Sequence, residues 1–320
     1  MAPPRERFLQ ANGIRHHVLE AGEGPLVLLL HGFPEGSHSW RHQLAALADA
    51  GYHAVAPAVR GYGQTDAPPE VASYRMRELV ADAVGLVDAL GERTAVVVGH
   101  DWGSQIAWHC ALLHPDRFRA VVAMSVPLGP RPPAPPIAIF RKRFEGAFFY
   151  MLYFQEPGVA EAELEADVRR SLRLMYFSGS GDSNPVPGFV GKPAGATLLE
   201  GMVDPQPLPA WLTEGDLDTY EAAFKRSGFR GPINRYRNMD RDWEELADVG
   251  SARVAVPALF IAGEKDMVLM LTGPGTIERM RERVPDLRDV VLVPGAGHWI
   301  QQERPAETNA ALLAFLKQLG

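Results

Sequence analysis

The chain has 320 residues, 46% of them hydrophobic, with a formal net charge of −7 and a single cysteine. That length supports a large core, or a core plus a smaller domain. The acidic balance without a basic block excludes the usual nucleic-acid binder, no apolar run reaches membrane-spanning length, and the lone Cys110 excludes an internal disulfide and fits a reducing cytoplasm.

The opening stretch from Met1 to Arg7 lacks the apolar run of a signal peptide. Phe8 to Glu20 reads as a hairpin turning at Asn12-Gly13, a pair that tolerates positive φ. Leu26 to Leu30 is continuously apolar, as in a strand covered on both faces, and ends in His31-Gly32-Phe33-Pro34-Glu35. Ser39 to Ala50 reads as a helix, His53 to Pro57 as a strand and Arg60 to Asp66 as a glycine-bearing loop. From Met76 to Leu90 apolar residues recur at helical spacing. Val96 to Val98 is a β-branched strand. It enters a helix with Ile106, Ala107, Cys110 and Leu113 on one face, and Arg119 to Val126 is the next strand. Such alternation predicts an α/β fold, a mostly parallel sheet with helices on both faces. Ligands sit beyond the carboxyl ends of the strands of such sheets.

The alternation breaks at Pro127 to Pro136, too rich in proline for helix or inner strand. Phe140 to Phe154 is aromatic and basic. Val159 to Tyr176 reads as helical with an acidic start, where the helix dipole favours carboxylates. Ser178 to Ala196 reads as a loop, Leu217 to Ser227 and Pro232 to Leu246 as helical, and no strand is expected in this region. Residues 130–246 therefore read as a helical cap inserted between two parts of the core, 1–129 and 247–320. The alternation resumes with a strand at Val256 to Ala262, the loop Gly263 to Asp266, a helix at Thr276 to Arg283 and a strand at Val290 to Val293. The loop Pro294 to Trp299 and a helix from Pro305 to Leu319, with proline in its first turn, close the chain.

Gly99-His100-Asp101-Trp102-Gly103 joins a strand to a helix with small residues around an apex, the pattern of a nucleophile elbow. Its apex is aspartate. A carboxylate suits attack on a saturated carbon bearing a strained leaving group, which gives an alkyl ester that water must hydrolyse. An isolated aspartate here would also serve as a helix N-cap. Asp266 and His298 each follow an expected strand, and the chain order nucleophile, acid, histidine is that of α/β-hydrolases. The His31–Pro34 segment is expected to furnish an oxyanion hole from the N–H groups of Phe33 and Trp102. Tyr150 and Tyr236 lie in the cap. They read either as its aromatic core or as a phenol pair that would donate to a leaving oxygen.

Six motifs together resemble the soluble epoxide hydrolases of the α/β-hydrolase superfamily over essentially the whole chain. They are His31–Glu35, Gly99–Gly103, Tyr153–Gly158 (Tyr-Phe-Gln-Glu-Pro-Gly), Tyr236–Met239 (Tyr-Arg-Asn-Met), Glu264–Asp266 and Gly297–Ile300. The resemblance implies an α/β-hydrolase fold with a mostly parallel eight-stranded sheet and an inserted helical cap. It implies Asp101, His298, Asp266, Tyr150 and Tyr236 as catalytic residues. The family's first cap tyrosine lies four residues before the Phe of Phe-Gln-Glu-Pro-Gly, which lands on Tyr150 rather than Tyr153. His31, Pro34, Phe149, Met151 and Trp299 are the expected substrate-binding residues, in an apolar tunnel suited to lipophilic epoxides. The expected partner is a small-molecule epoxide, with no metal or organic cofactor, in a cytoplasmic monomer or homodimer. The chain departs from relatives in having no room for the N-terminal phosphatase domain of mammalian forms, and Ser104 stands where many have a second glycine. Two other readings remain at this point. A haloalkane or fluoroacetate dehalogenase shares the Asp–His–Asp logic but uses halide donors, commonly Trp or Asn. A ligand receptor on the same fold would bind without turnover.

Overall fold

In the computed structural model, which describes residues 4–183 and 188–320, a hairpin of β1 (Arg5–Ala11) and β2 (Ile14–Ala21) turns through Asn12 and Gly13, both at positive φ. β3 (Leu26–Leu30) is buried at every residue. α1 (Arg41–Asp49), β4 (His53–Pro57), α2 (Met76–Ala89), β5 (Ala95–His100), α3 (Trp102–Leu113) and β6 (Phe118–Met124) then alternate as the sequence predicts. The first three residues of the Met1–Arg7 start lie outside the described residues.

The segment after the proline-rich connector is built of short pieces. α4 (Pro136–Arg143) begins on a proline, and β7 (Ala147–Phe149) leads into the single turn α5 (Tyr150–Tyr153). The expected helix from Val159 to Tyr176 is two helices, α6 (Val159–Ala166) and α7 (Val168–Gly179). Asp167 leaves helical geometry at φ −150 and ψ 89, and its carboxylate accepts the Arg170 N–H to start α7. The expected absence of strands is also corrected. β8 (Val190–Pro193) pairs antiparallel with β7 within the stretch read as a loop. A ribbon of three and four residues is too short to show alternation, and Gly191 and Pro193 mask it further. Residues 184–187 of that stretch lie outside the described residues. α8 (Glu214–Ser227) starts with a Thr213–Asp216 capping box. The expected helix from Pro232 is α9 (Arg230–Asn234), a 3₁₀ turn at Tyr236–Asn238 and α10 (Met239–Glu245).

β9 (Ala258–Gly263), α11 (Met267–Thr272), α12 (Thr276–Arg283), β10 (Leu287–Val293), α13 (Ile300–Glu303) and α14 (Pro305–Lys317) complete the chain. The eight-stranded sheet runs β1-β2-β4-β3-β5-β6-β9-β10, antiparallel at β1–β2 and β2–β4 and parallel elsewhere. Successive side chains of β5 point to opposite faces. Val97 packs with α2 and α3 residues such as Leu79, Ile106 and Trp108, while Val96 and Val98 pack with Leu44, Leu47 and Phe315 of α1 and α14. A third apolar cluster joins Phe154, Leu172, Tyr176 and Phe224 of the inserted segment to Phe33, Ala58 and Tyr62 at the carboxyl rim of the sheet. The segment thus covers the end where parallel sheets carry their ligands. Among the described residues no helix is long and apolar enough to cross a membrane.

Candidate active site

β5 ends at His100 and α3 begins at Trp102, so Asp101 makes the whole turn. It does so at φ 53 and ψ −118, a strained conformation for a residue with a Cβ. The turn closes only because its neighbours are glycines. A Cβ on Gly99 would strike the Gly103 carbonyl, and one on Gly103 would strike the Leu30 carbonyl. The Asp101 carbonyl accepts the Ser104 and Gln105 N–H groups at 3.0 and 3.3 Å, while its side chain makes no capping hydrogen bond. The carboxylate is therefore free for other partners. Oδ1 accepts the Phe33 N–H at 2.9 Å, and Oδ2 lies 3.5 Å from His298 Nε2. Ser104 donates its hydroxyl to the Val126 carbonyl at 2.6 Å, away from this centre.

His298 is held from both sides. Its Nδ1 faces Asp266 Oδ1 and Oδ2 at 3.1 and 3.2 Å, and Asp266 is fully buried with Oδ1 also accepting the Val268 N–H at 2.8 Å. A carboxylate opposite Nδ1 fixes the proton there and aims Nε2 at Asp101. Burial alone would lower the His298 pKa. The Asp266 charge and the Asp101 hydrogen bond outweigh burial and hold it well above the ordinary 6.5. Burial likewise works to raise the Asp101 pKa, and His298 overrides it, so the carboxyl stays below its usual range. Both shifts favour the charged forms of His298 and Asp101 side by side.

A set of buried groups that sequence reasoning left without a role sets the backbone of this centre. His100 Nε2 donates to the His298 carbonyl at 2.7 Å and its Nδ1 meets Glu35 Oε2 at 2.7 Å. Glu35 also accepts the Gly32 N–H at 2.9 Å and the side-chain amides of Gln301 and Gln302 at 2.7 and 3.1 Å. Desolvation pushes the Glu35 pKa up, but His100 and these donors keep it below its ordinary value. Ser125 adds a hydroxyl to the His298 carbonyl at 2.9 Å. Glu303 accepts the N–H groups of Gly181, Gly297 and Trp299, each at 2.9 Å, and so clamps the His298 loop. Glu35 and His100 fall inside the His31–Glu35 and Gly99–Gly103 motifs, but nothing local to either motif shows that they pair.

The remaining expected residues converge unevenly. Trp102, the first residue of α3, presents an N–H with no intrahelical partner beside Asp101. Tyr150 and Tyr236 are 8% and 2% exposed, with ring centroids 5.9 Å apart. Both line a small cavity of about 30 Å³ with Asp101, His298, Pro34 and Trp299. Burial, then the Asp101 charge, raises both phenol pKa values well above 10, so both hydroxyls carry their protons. Tyr153 differs, because its hydroxyl donates to Glu163 at 2.8 Å. A larger cavity of about 420 Å³ opens from Asp101 and Tyr150 on the other side and is lined by Met151. Two expected substrate-binding residues lie apart from both cavities. His31 accepts the Val59 N–H at Nε2, 3.0 Å away, packs edge-on against Tyr62, and lines neither of these cavities. Phe149 stacks on Phe144 behind Tyr150, with centroids 4.1 Å apart, and also lines neither.

A family profile described as alpha/beta hydrolase fold matches residues 25–305. The chain is 48% identical to epoxide hydrolase A of Mycobacterium tuberculosis, over 100% of this chain and 99% of that one. It is 42% identical to epoxide hydrolase 2 of Siraitia grosvenorii, over 97% of each. The structure of an epoxide hydrolase from an endophytic Streptomyces superposes with a TM-score of 0.95 at 47% identity, covering 100% of this chain and 97% of the other.

Proposed function

Because the chain belongs to the α/β-hydrolase fold family and is a hydrolase acting on epoxides, we propose that it converts lipophilic epoxides to vicinal diols through an ester on Asp101. The reading rests above all on one observation. A buried carboxylate at an elbow apex shares a cavity with an imidazolium and two protonated phenols. Residues 130–246 act as the cap that carries both phenols, between core parts 1–129 and 247–320.

Tyr150 and Tyr236 hold the epoxide oxygen by hydrogen bonds. An Asp101 oxygen attacks a ring carbon from the opposite side, the carbon–oxygen bond breaks, and a phenol proton passes to the alkoxide. Esterification removes the Asp101 charge that helped to raise the His298 pKa. The imidazolium then gives up its proton, and solvent carries the equivalent to the phenolate. Neutral His298, steered by Asp266, takes a proton from water as that water attacks the ester carbonyl carbon. The Phe33 and Trp102 N–H groups receive the oxyanion. Collapse releases the diol and restores the Asp101 carboxylate, with the proton on His298. A dehalogenase is disfavoured because one candidate halide donor is occupied, as Trp299 Nε1 donates to the Tyr176 carbonyl at 2.7 Å.

The water oxygen enters the Asp101 carboxylate before it reaches any product. A single turnover in oxygen-labelled water, with enzyme in excess, therefore yields largely unlabelled diol and labelled enzyme. Diol that carries the label in the first turnover contradicts the route.

A further inference from the structure

The larger cavity extends from Asp101 along one face of α3. Trp102, Gln105 and His109 lie at i, i+3 and i+7 and all line it. Much of the wall opposite is apolar, including Leu128, Phe140, Met151, Met239 and Leu246. Two of its charged groups are closed on partners. Arg235 pairs with Asp242, whose Oδ1 also accepts the Met76 N–H at 2.7 Å. Arg283 is taken up by the carbonyls of Gly129, Val249 and Ala252.

His109 is different. Its Nδ1 donates to the Gln105 carbonyl at 2.7 Å, which leaves Nε2 as a lone-pair acceptor on the cavity wall. Burial lowers its pKa, with Arg235 and Arg283 adding to that effect, so the ring is neutral. One turn earlier, Gln105 Nε2 donates to the Pro127 carbonyl at 3.3 Å, which leaves Oε1 as a second acceptor on the same wall. Neither acceptor has a protein donor among the described residues. Two adjacent acceptors on a largely apolar wall suit a hydrogen-bond donor on the ligand.

We propose that His109, with Gln105, is a specificity-determining subsite that accepts a hydrogen bond from an uncharged donor, a hydroxyl or amide N–H, on the tail of the epoxide substrate. The subsite rests on the epoxide reading above and fixes a length. Asp101 and His109 lie eight positions apart along the start of α3, about 12 Å at the helical rise, and the His109 ring leans back towards Gln105. The donor therefore sits roughly six to nine chain atoms from the epoxide carbon.

The test is kcat/KM for terminal epoxyalkanes of stepped chain length, each with its ω-hydroxy and ω-carboxy counterparts, in the wild type, His109→Leu and His109→Asn. The ratio of hydroxy to plain substrate is read within each enzyme, so a general loss of activity cancels. In the wild type the ratio peaks about three- to tenfold above one at the stated length. It falls towards one in His109→Leu and is partly kept in His109→Asn. Should the leucine variant not fold, the wild-type length profile decides alone. A flat ratio at every length overturns the subsite while leaving epoxide hydrolysis intact. A preference for the carboxylate overturns it in favour of the nearby arginines. If none of the epoxides is hydrolysed, the functional reading falls and the subsite with it.

Discussion

Asp101 occupies a backbone conformation that costs on the order of 1–3 kcal/mol for a residue with a side chain. In return its carboxylate is lifted off the helix end and set between Phe33, His298 and the phenols. The pKa directions follow from that placement and have kinetic consequences. Attack needs ionised Asp101, whose pKa is held low, and protonated phenols, whose pKa values are held high. Stopped-flow tryptophan fluorescence is therefore expected to give an alkylation rate that stays flat across neutral pH. Ester hydrolysis needs neutral His298, so its rate rises with pH as the imidazolium loses its proton. A hydrolysis rate that falls with rising pH contradicts this assignment. Replacing Tyr150 or Tyr236 by Phe removes one proton donor and lowers the alkylation rate about a hundredfold, and the double replacement abolishes it. Asp266→Asn leaves alkylation largely in place but slows hydrolysis by roughly two orders of magnitude or more, so the ester accumulates. At this scale the sequence was informative because Asp101, Asp266 and His298 sit in short motifs that follow strands, and Tyr150 and Tyr236 beside or within motifs of the inserted segment. The buried pair Glu35 and His100 falls inside two such motifs, yet its role was not legible there. Its role lies in hydrogen bonds across more than sixty positions, between His100 and Glu35 and from the pair to Gln301 and the His298 carbonyl.

The elements that hold the site succeed by close backbone packing. β5, the elbow and the end of β3 approach so closely at Gly99 and Gly103 that no methyl group fits. Gly103→Ala is expected to destabilise the fold by about 2–3 kcal/mol or more, read as a lowered melting temperature and poor soluble yield. An unchanged melting temperature would contradict the packing described. The main elements were legible in sequence because helical spacing or a continuous β-branched run marks them, as in α2 and the fully buried β5. The short ones were not. The β7–β8 ribbon, the break at Asp167 and the turns around Tyr236 are each settled by tertiary contacts or a single cap. Tyr236 itself was found from its motif while the 3₁₀ turn that carries it was missed.

Across the whole molecule, the segment over the sheet is stitched to the base-bearing loop. The His298 N–H donates to the Gly179 carbonyl at 2.8 Å, and the Trp299 indole to the Tyr176 carbonyl. Lys265 reaches the Gly181 carbonyl at 2.8 Å, while Glu303 accepts N–H groups from both sides of the seam. The end of α7 and the His298 loop are therefore tied together by direct hydrogen bonds. Glu303→Ala leaves three buried N–H groups without their acceptor, and it is expected to lower kcat several-fold with little change in KM. The layer order of the core was readable from its alternating pattern, whereas this seam joins residues more than eighty positions apart and leaves no local trace.

The most direct measurement is the intact and peptide mass of His298→Gln after incubation with a lipophilic epoxide. The account predicts a gain of one substrate mass, carried by the peptide containing Asp101 and absent when Asp101→Asn is added. No mass gain in a folded protein, or a gain on a different peptide, would contradict a carboxylate nucleophile at the elbow.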